Sequence, residues 1–112
     1  MGAALGRVSD AATFRELRRA GRRVRSGPVT VTWLPEPTAG PLRLAFAIGR
    51  PVGNAVVRNR LRRRFRALFT ELAPELAPGT YLVSAAPAAA PLDYGDLRRT
   101  LRTALAQLAE RS

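Results

Sequence analysis

This sequence predicts an α+β fold, a two-layer sandwich in which helices pack on one small central sheet in the order α-β-β-α-β-α. Three patterns carry that expectation. Residues 29–33 and 42–48 alternate large apolar side chains with smaller or polar ones, the period of a half-buried strand. Residues 55–72 repeat their apolar side chains every three or four positions, which is the period of a helix. Residues 97–108 do the same with leucines. Strands separated by helical segments suit a single sheet covered by helices.

In chain order, a first helix is predicted over residues 10–20. Ser9 or Asp10 is placed to cap its free amides, and Gly21 to end it in a left-handed conformation. Ala11, Phe14 and Leu17 share one side of it, with Arg15, Arg18 and Arg19 elsewhere. Arg22, Arg23 and Arg25 read as a basic connection closed by Gly27 and Pro28. The first strand puts Val29, Val31 and Trp33 on one face and Thr30 and Thr32 on the other. Residues 35–41, rich in Pro and Gly, must turn. The second strand then presents Leu42, Leu44, Phe46 and Ile48 opposite Arg43, Ala45 and Ala47, and the two strands are expected to pair antiparallel.

Asn54 is a good cap for a second helix, whose Val57, Leu61, Phe65, Leu68 and Leu72 fall within an arc of roughly 80° at about 100° per residue. Pro74 should stop it, since proline cannot continue the hydrogen-bond ladder. Residues 80–86 form a third strand with Tyr81 and Val83 on one face, and 87–91 an Ala/Pro connector. Asp93 caps the last helix and Asp96 sits in its positive first turn. Leu97, Leu101, Leu105 and Leu108 give that helix its apolar stripe. At 112 residues the whole chain, 1–112, is expected to be a single domain.

Charge narrows the function. Nineteen basic residues against eight acidic ones leave a net charge of +11, and every basic residue is Arg. The absence of Lys beside so much Ala, Gly and Pro fits a GC-rich genome. Arg still brings a planar fork of donors that grips phosphate at two points. A charge of this size on a small domain implies a polyanion as partner, nucleic acid before anionic membrane. With no Cys and no His, disulfides, thiolate chemistry and the usual zinc sites are excluded. No apolar run approaches the ~20 residues that span a bilayer, and residues 1–8 lack the order of a secretory signal, so a cytoplasmic protein without membrane association is expected.

The basic charge is concentrated in the segment 49–69, GRPVGNAVVRNRLRRRFRALF. On a helix Arg58, Arg62 and Arg66 form one row at i, i+4 and i+8, and Asn59, Arg60, Arg63 and Arg64 continue around the exposed surface. Like charges at this spacing repel by a few tenths of a kcal/mol per pair, which a bound phosphate backbone would offset. A charge run is usually a solvated face. Here so many arginines flank one well-formed apolar stripe, almost without acids between them, that the solvated reading is the poorer one. Arg50 and the Gly53 backbone lie at the start of the helix, where free amides attract anions. Asn59 can donate and accept, which suits a base edge or a ribose hydroxyl.

The string Gly53-Asn54-Ala55-Val56-Val57-Arg58-Asn59-Arg60-Leu61-Arg62-Arg63 resembles the RNR motif of the bacterial ribonuclease P protein family. The order of elements, the Phe in the first helix and the chain length are similar too, so the resemblance covers nearly all of the chain. It implies a protein subunit of a ribonucleoprotein that removes the 5′ leader of precursor tRNA. The RNA subunit holds Mg²⁺ and carries out the hydrolysis, and the protein has no catalytic residue of its own. Ribonuclease P RNA and precursor tRNA are the implied partners, with no obligate protein partner. Residue by residue, the resemblance assigns RNA contacts to Arg50, Gly53, Arg58, Asn59, Arg60, Arg62, Arg63 and Arg66. It places Phe14, Arg18, Thr30 and Thr32 in a cleft for the leader. It also implies a left-handed β-α-β crossover, against the usual right-handed rule.

There are departures from the family pattern. Arg18 stands where many relatives carry an aromatic or apolar residue, Thr30 and Thr32 where apolar or aromatic ones are common, and Pro51 where a second basic residue is frequent. They favour a cleft that holds its strand by charge and hydrogen bonds rather than by stacking. Phe14 reads equally as a cleft aromatic or as a core side chain. Two other classes compete. A structural RNA binder such as a ribosomal protein shares the composition and is separated only by the motif string. A stand-alone protein nuclease would need carboxylates, and its nearest candidates, Asp93 and Asp96, are better explained as helix caps. A helix-turn-helix is weaker still, since strands flank the basic helix.

Overall fold

The computed structural model describes residues 5–7, 11–35 and 42–110. The proposed caps Ser9 and Asp10, the turn at 36–41 and most of the N-terminal segment lie outside the described residues. The elements are β1 (Leu5–Arg7), α1 (Ala11–Ala20), β2 (Arg22–Ser26), β3 (Val29–Pro35), β4 (Leu42–Ala47), α2 (Ala55–Leu72), β5 (Gly79–Ala85) and α3 (Tyr94–Glu110). The strands form one mixed sheet in the order β1-β4-β5-β3-β2. The α+β class and the order of the three helices are as expected, but the sheet corrects the sequence reading in three places.

The basic connection at Arg22–Ser26 is a strand. It pairs antiparallel with β3, from Arg22 opposite Trp33 to Ser26 opposite Val29. Only Val24 of this strand is buried, so its apolar period is too thin to read, and its arginines are the charges that keep an edge strand from recruiting another chain. Gly27, at φ +54°, makes the hairpin turn that side chains disfavour.

The two predicted strands, β3 and β4, are not neighbours. β5 lies between them, antiparallel to β3 and parallel to β4. Its first five residues are all buried, which is what a strand covered on both faces requires. The β4-α2-β5 connection is thus a crossover between parallel neighbours. On the far side of β4, the three residues of β1 add a short parallel strand that the sequence reading did not contain.

The main core lies between one face of the sheet and α2 with α3. Leu61, Phe65 and Leu68 of the predicted stripe are fully buried there with Val31, Val83, Leu97 and Leu101. Phe69 widens the stripe, and its ring tilts against Tyr81, whose ring stacks on Trp33. The polar ends of both sheet aromatics are satisfied nearby. Trp33 Nε1 donates to the Pro78 carbonyl at 3.2 Å, and the Tyr81 hydroxyl to the Ala77 carbonyl at 2.6 Å.

α1 covers part of the opposite face, where Leu17 is buried with Ala45 and Leu82 and half-buried Phe14 and Leu34 pack on them. This helix changes the reading of two residues. Thr32, expected on an outward face, is only 3% exposed. Gly21 does not take the left-handed conformation. It is needed for space, since a Cβ there would stand 2.4 Å from the Leu17 carbonyl oxygen and 2.6 Å from Thr32 Cγ2.

Candidate nucleic-acid interface

The approach to α2 is a tight turn. Arg50–Val52 form a single 3₁₀ turn, closed by the Gly53 amide donating to the Arg50 carbonyl at 3.1 Å. Gly53 itself adopts φ 156° and ψ −172°, a region in which side chains are strained, and a Cβ would lie 2.9 Å from Val57. Asn54 caps the helix as the sequence indicates, its Oδ1 accepting from the Val57 amide at 3.0 Å.

With Leu61, Phe65 and Leu68 turned into the core, the arginines of α2 are left on the remaining surface. Arg60 and Arg63 are exposed, and Arg58, Arg62, Arg64 and Arg66 are half-buried. Among the described residues none of them pairs with a carboxylate. Ion pairs elsewhere join Arg19 to Glu16, Arg98 to Glu71 and Arg99 to Asp96. The α2 arginines are steadied by neutral groups instead. Arg62 Nη1 donates to Asn59 Oδ1 at 2.8 Å, and its Nη2 lies 3.5 Å from the Ile48 carbonyl. Arg64 Nη1 donates to the Leu92 carbonyl at 3.1 Å. The Arg66 guanidinium lies over the Phe46 ring, 5.6 Å from its centre. Arg58 Nε is buried without a hydrogen-bond partner. The cations therefore keep their charge for an outside partner while several are held in place, which lowers the entropy lost on binding.

Two shallow grooves follow the basic surface. One is lined by Val56, Asn59, Arg62, Arg63 and Arg66, the other by Arg60, Arg63, Arg64, Ala67 and Tyr94. Arg50 is exposed at the head of the helix.

A third groove lies on the α1 side of the sheet. Arg18, Thr30 and Thr32 meet there with Arg23, Arg25, Ala47, Leu82 and Ser84. Phe14 is not part of its wall and belongs to the small apolar cluster beneath α1. Arg23 and Arg25 are the residues that sequence reasoning missed. Taken as loop they had no face, whereas in β2 they alternate with Val24 and stand on one side of the sheet. Their i, i+2 spacing around a valine was the available signal. The carboxylates considered for a nuclease have other work, Asp93 Oδ1 accepting from the Asp96 amide at 2.8 Å and Asp96 pairing with Arg99.

A family model described as Ribonuclease P matches residues 4–109. The chain belongs to the ribonuclease P protein family. It is 41% identical to the ribonuclease P protein component of a Nocardioides species over 102 residues, covering 88% of this chain and 87% of the relative. To that of Streptomyces bikiniensis it is 40% identical over 111 residues, covering 93% and 89%. The fold is that of solved ribonuclease P proteins. The Staphylococcus aureus protein superposes with a TM-score of 0.83 at 22% identity, over 91% of this chain and 94% of that one. The Thermotoga maritima protein does so with 0.79 at 20% identity, over 88% and 94%. Membership of the ribonuclease P family sets aside the ribosomal-protein reading.

Proposed function

We propose that the chain serves ribonuclease P by binding its RNA subunit through α2 and the 5′ leader of precursor tRNA through the groove beside α1. It thereby assists endonucleolytic release of the mature tRNA 5′ end. The observation that carries this reading is the combination found on α2: an apolar edge sunk in the core and a row of arginines with no carboxylate partner among the described residues. Arg50, Gly53, Arg58, Asn59, Arg60, Arg62, Arg63 and Arg66 form or shape the face offered to the RNA. Arg18 and Thr30, joined by Arg23 and Arg25, hold the leader by charge and hydrogen bonds over a floor that includes buried Thr32, and Phe14 lies in the apolar cluster under α1.

Mg²⁺ belongs to the RNA subunit in this proposal. Among the described residues no group of three or more acidic side chains converges on one point. The protein contributes positive charge and position. Guanidinium groups neutralise phosphates that would otherwise repel each other where leader, tRNA and RNA subunit meet. The work is done in the cytoplasm without an obligate protein partner, and no described helix is long and apolar enough to cross a membrane.

Reconstitution tests the reading. Added to a bacterial ribonuclease P RNA at low Mg²⁺, the protein should increase cleavage of precursor tRNA at the 5′ end of the mature sequence. No gain in cleavage at any Mg²⁺ concentration would refute it.

A further inference from the structure

Where α2 faces the start of α3, a ring and three cations meet. We infer that Tyr94, with Arg60, Arg63 and Arg64, forms a platform for one unpaired nucleotide of the RNA partner: the base stacks on the tyrosine and the arginines take its flanking phosphates. The inference rests on the reading that α2 binds RNA and adds a second contact surface to it.

Tyr94 is the first residue of α3 and is 39% exposed, unlike Tyr81, which is 3% exposed in the core. Part of this ring is thus open to solvent and within reach of a ligand. It lies in one groove with Arg60, Arg63, Arg64 and Ala67. Its place is set from both sides. Asp93 caps the helix through the Asp96 amide, and Arg64 reaches the Leu92 carbonyl just before the helix begins. Arg64 is thus tied to the segment that carries the ring before any ligand arrives.

The surrounding charge is positive. Asp96 is paired with Arg99 and Glu71 with Arg98, so these acids are engaged with other arginines. The chemistry that fits is a π-face flanked by phosphate. Base–aromatic stacking tolerates any base, and guanidinium forks grip phosphate oxygens. A-form duplex keeps its base faces stacked inside, so the nucleotide must come from a bulge, loop or single strand. Arg63 lines this groove and also the one beside Val56 and Asn59. The crest of α2 is therefore a shared wall, with an RNA backbone able to continue across it.

The test uses the full chain and a bacterial ribonuclease P RNA, with affinity measured across a salt series. Tyr94→Ala and Tyr94→Leu should each weaken binding about 5- to 150-fold with no change in salt slope, since they remove a stack and no charge. Tyr94→Phe should bind as the native chain does. Arg62→Ala, in the other groove, should lower the slope, and thermal unfolding of each variant checks the fold. If Tyr94→Ala and Tyr94→Leu bind normally while Arg62→Ala is weakened, the platform is wrong and the α2 reading stands. If all of them bind normally, both are wrong. A loss with Ala that Leu restores would show plain apolar contact and would also overturn the stacking platform.

Discussion

Arg62 donates to the side-chain oxygen of Asn59 one helical turn earlier, at 2.8 Å. The pair decides what each residue offers. Asn59 spends an acceptor on its neighbour and keeps its amide N–H groups as donors, so toward RNA it acts chiefly as a donor, suited to phosphate or a ribose oxygen. Arg62, fixed by Asn59 and close to the Ile48 carbonyl, has less rotamer freedom to lose than a free arginine.

Asn59→Asp should therefore weaken RNA binding by more than the loss of one contact. The new carboxylate would pair with Arg62 and repel the phosphate. Arg58→Ala and Arg62→Ala should each flatten the log–log salt dependence by about 0.7–0.9 per lost phosphate contact. Filter binding across a salt series reads both effects, and an unchanged slope would remove those residues from the interface.

The groove beside α1 has its own signature. Arg23→Ala or Arg25→Ala should weaken precursor tRNA with a leader and leave the mature tRNA and the RNA subunit bound as before. Phe14→Leu separates two roles. If a leader base reaches the ring, longer leaders lose about 1–3 kcal/mol of binding. Equal effects on all substrates would mark Phe14 as a core side chain of the Leu17 cluster.

Gly53→Ala should destabilise the fold by about 1–3 kcal/mol, because the backbone there lies in a region open almost only to glycine. Val57 also blocks the added methyl. Urea unfolding measures this. Gly53 then shapes the interface by letting the chain turn into α2, and loss of RNA affinity in this variant should follow its loss of stability.

Burial pushes the Tyr81 hydroxyl up to about 12 from an ordinary 10.0. The folded state thus holds its proton more tightly than the unfolded chain. This contribution to stability is complete below pH 10 and is lost as the pH climbs through 12, by roughly 3 kcal/mol in all. Denaturant midpoints taken across that window should fall for the native chain. Tyr81→Phe should remove this part of the fall at the cost of the bond to the Ala77 carbonyl, about 1 kcal/mol.

By itself the sequence determined the elements that are long and strongly periodic, and the face that carries the charge. Leu61, Phe65 and Leu68 announce α2 because a helix repeats every 3.6 residues and only one stripe of it can be buried. Once that stripe is known, the arginines have nowhere to go but outward. Asn54 and Asp93 are legible for a similar reason, since a cap acts within three residues of itself.

Tertiary structure alone decided which strands meet. Strand pairing joins residues far apart in the chain, and no local period states that β5 comes between β3 and β4. Nor does the sequence announce β2 strongly, because one buried residue, Val24 under α3, leaves only an Arg-Val-Arg alternation to read. The burial of Thr32 under α1 and the meeting of Arg23 and Arg25 with Thr30 follow from that arrangement. Helix faces are written in local spacing; the groove is written in contacts made across the sheet.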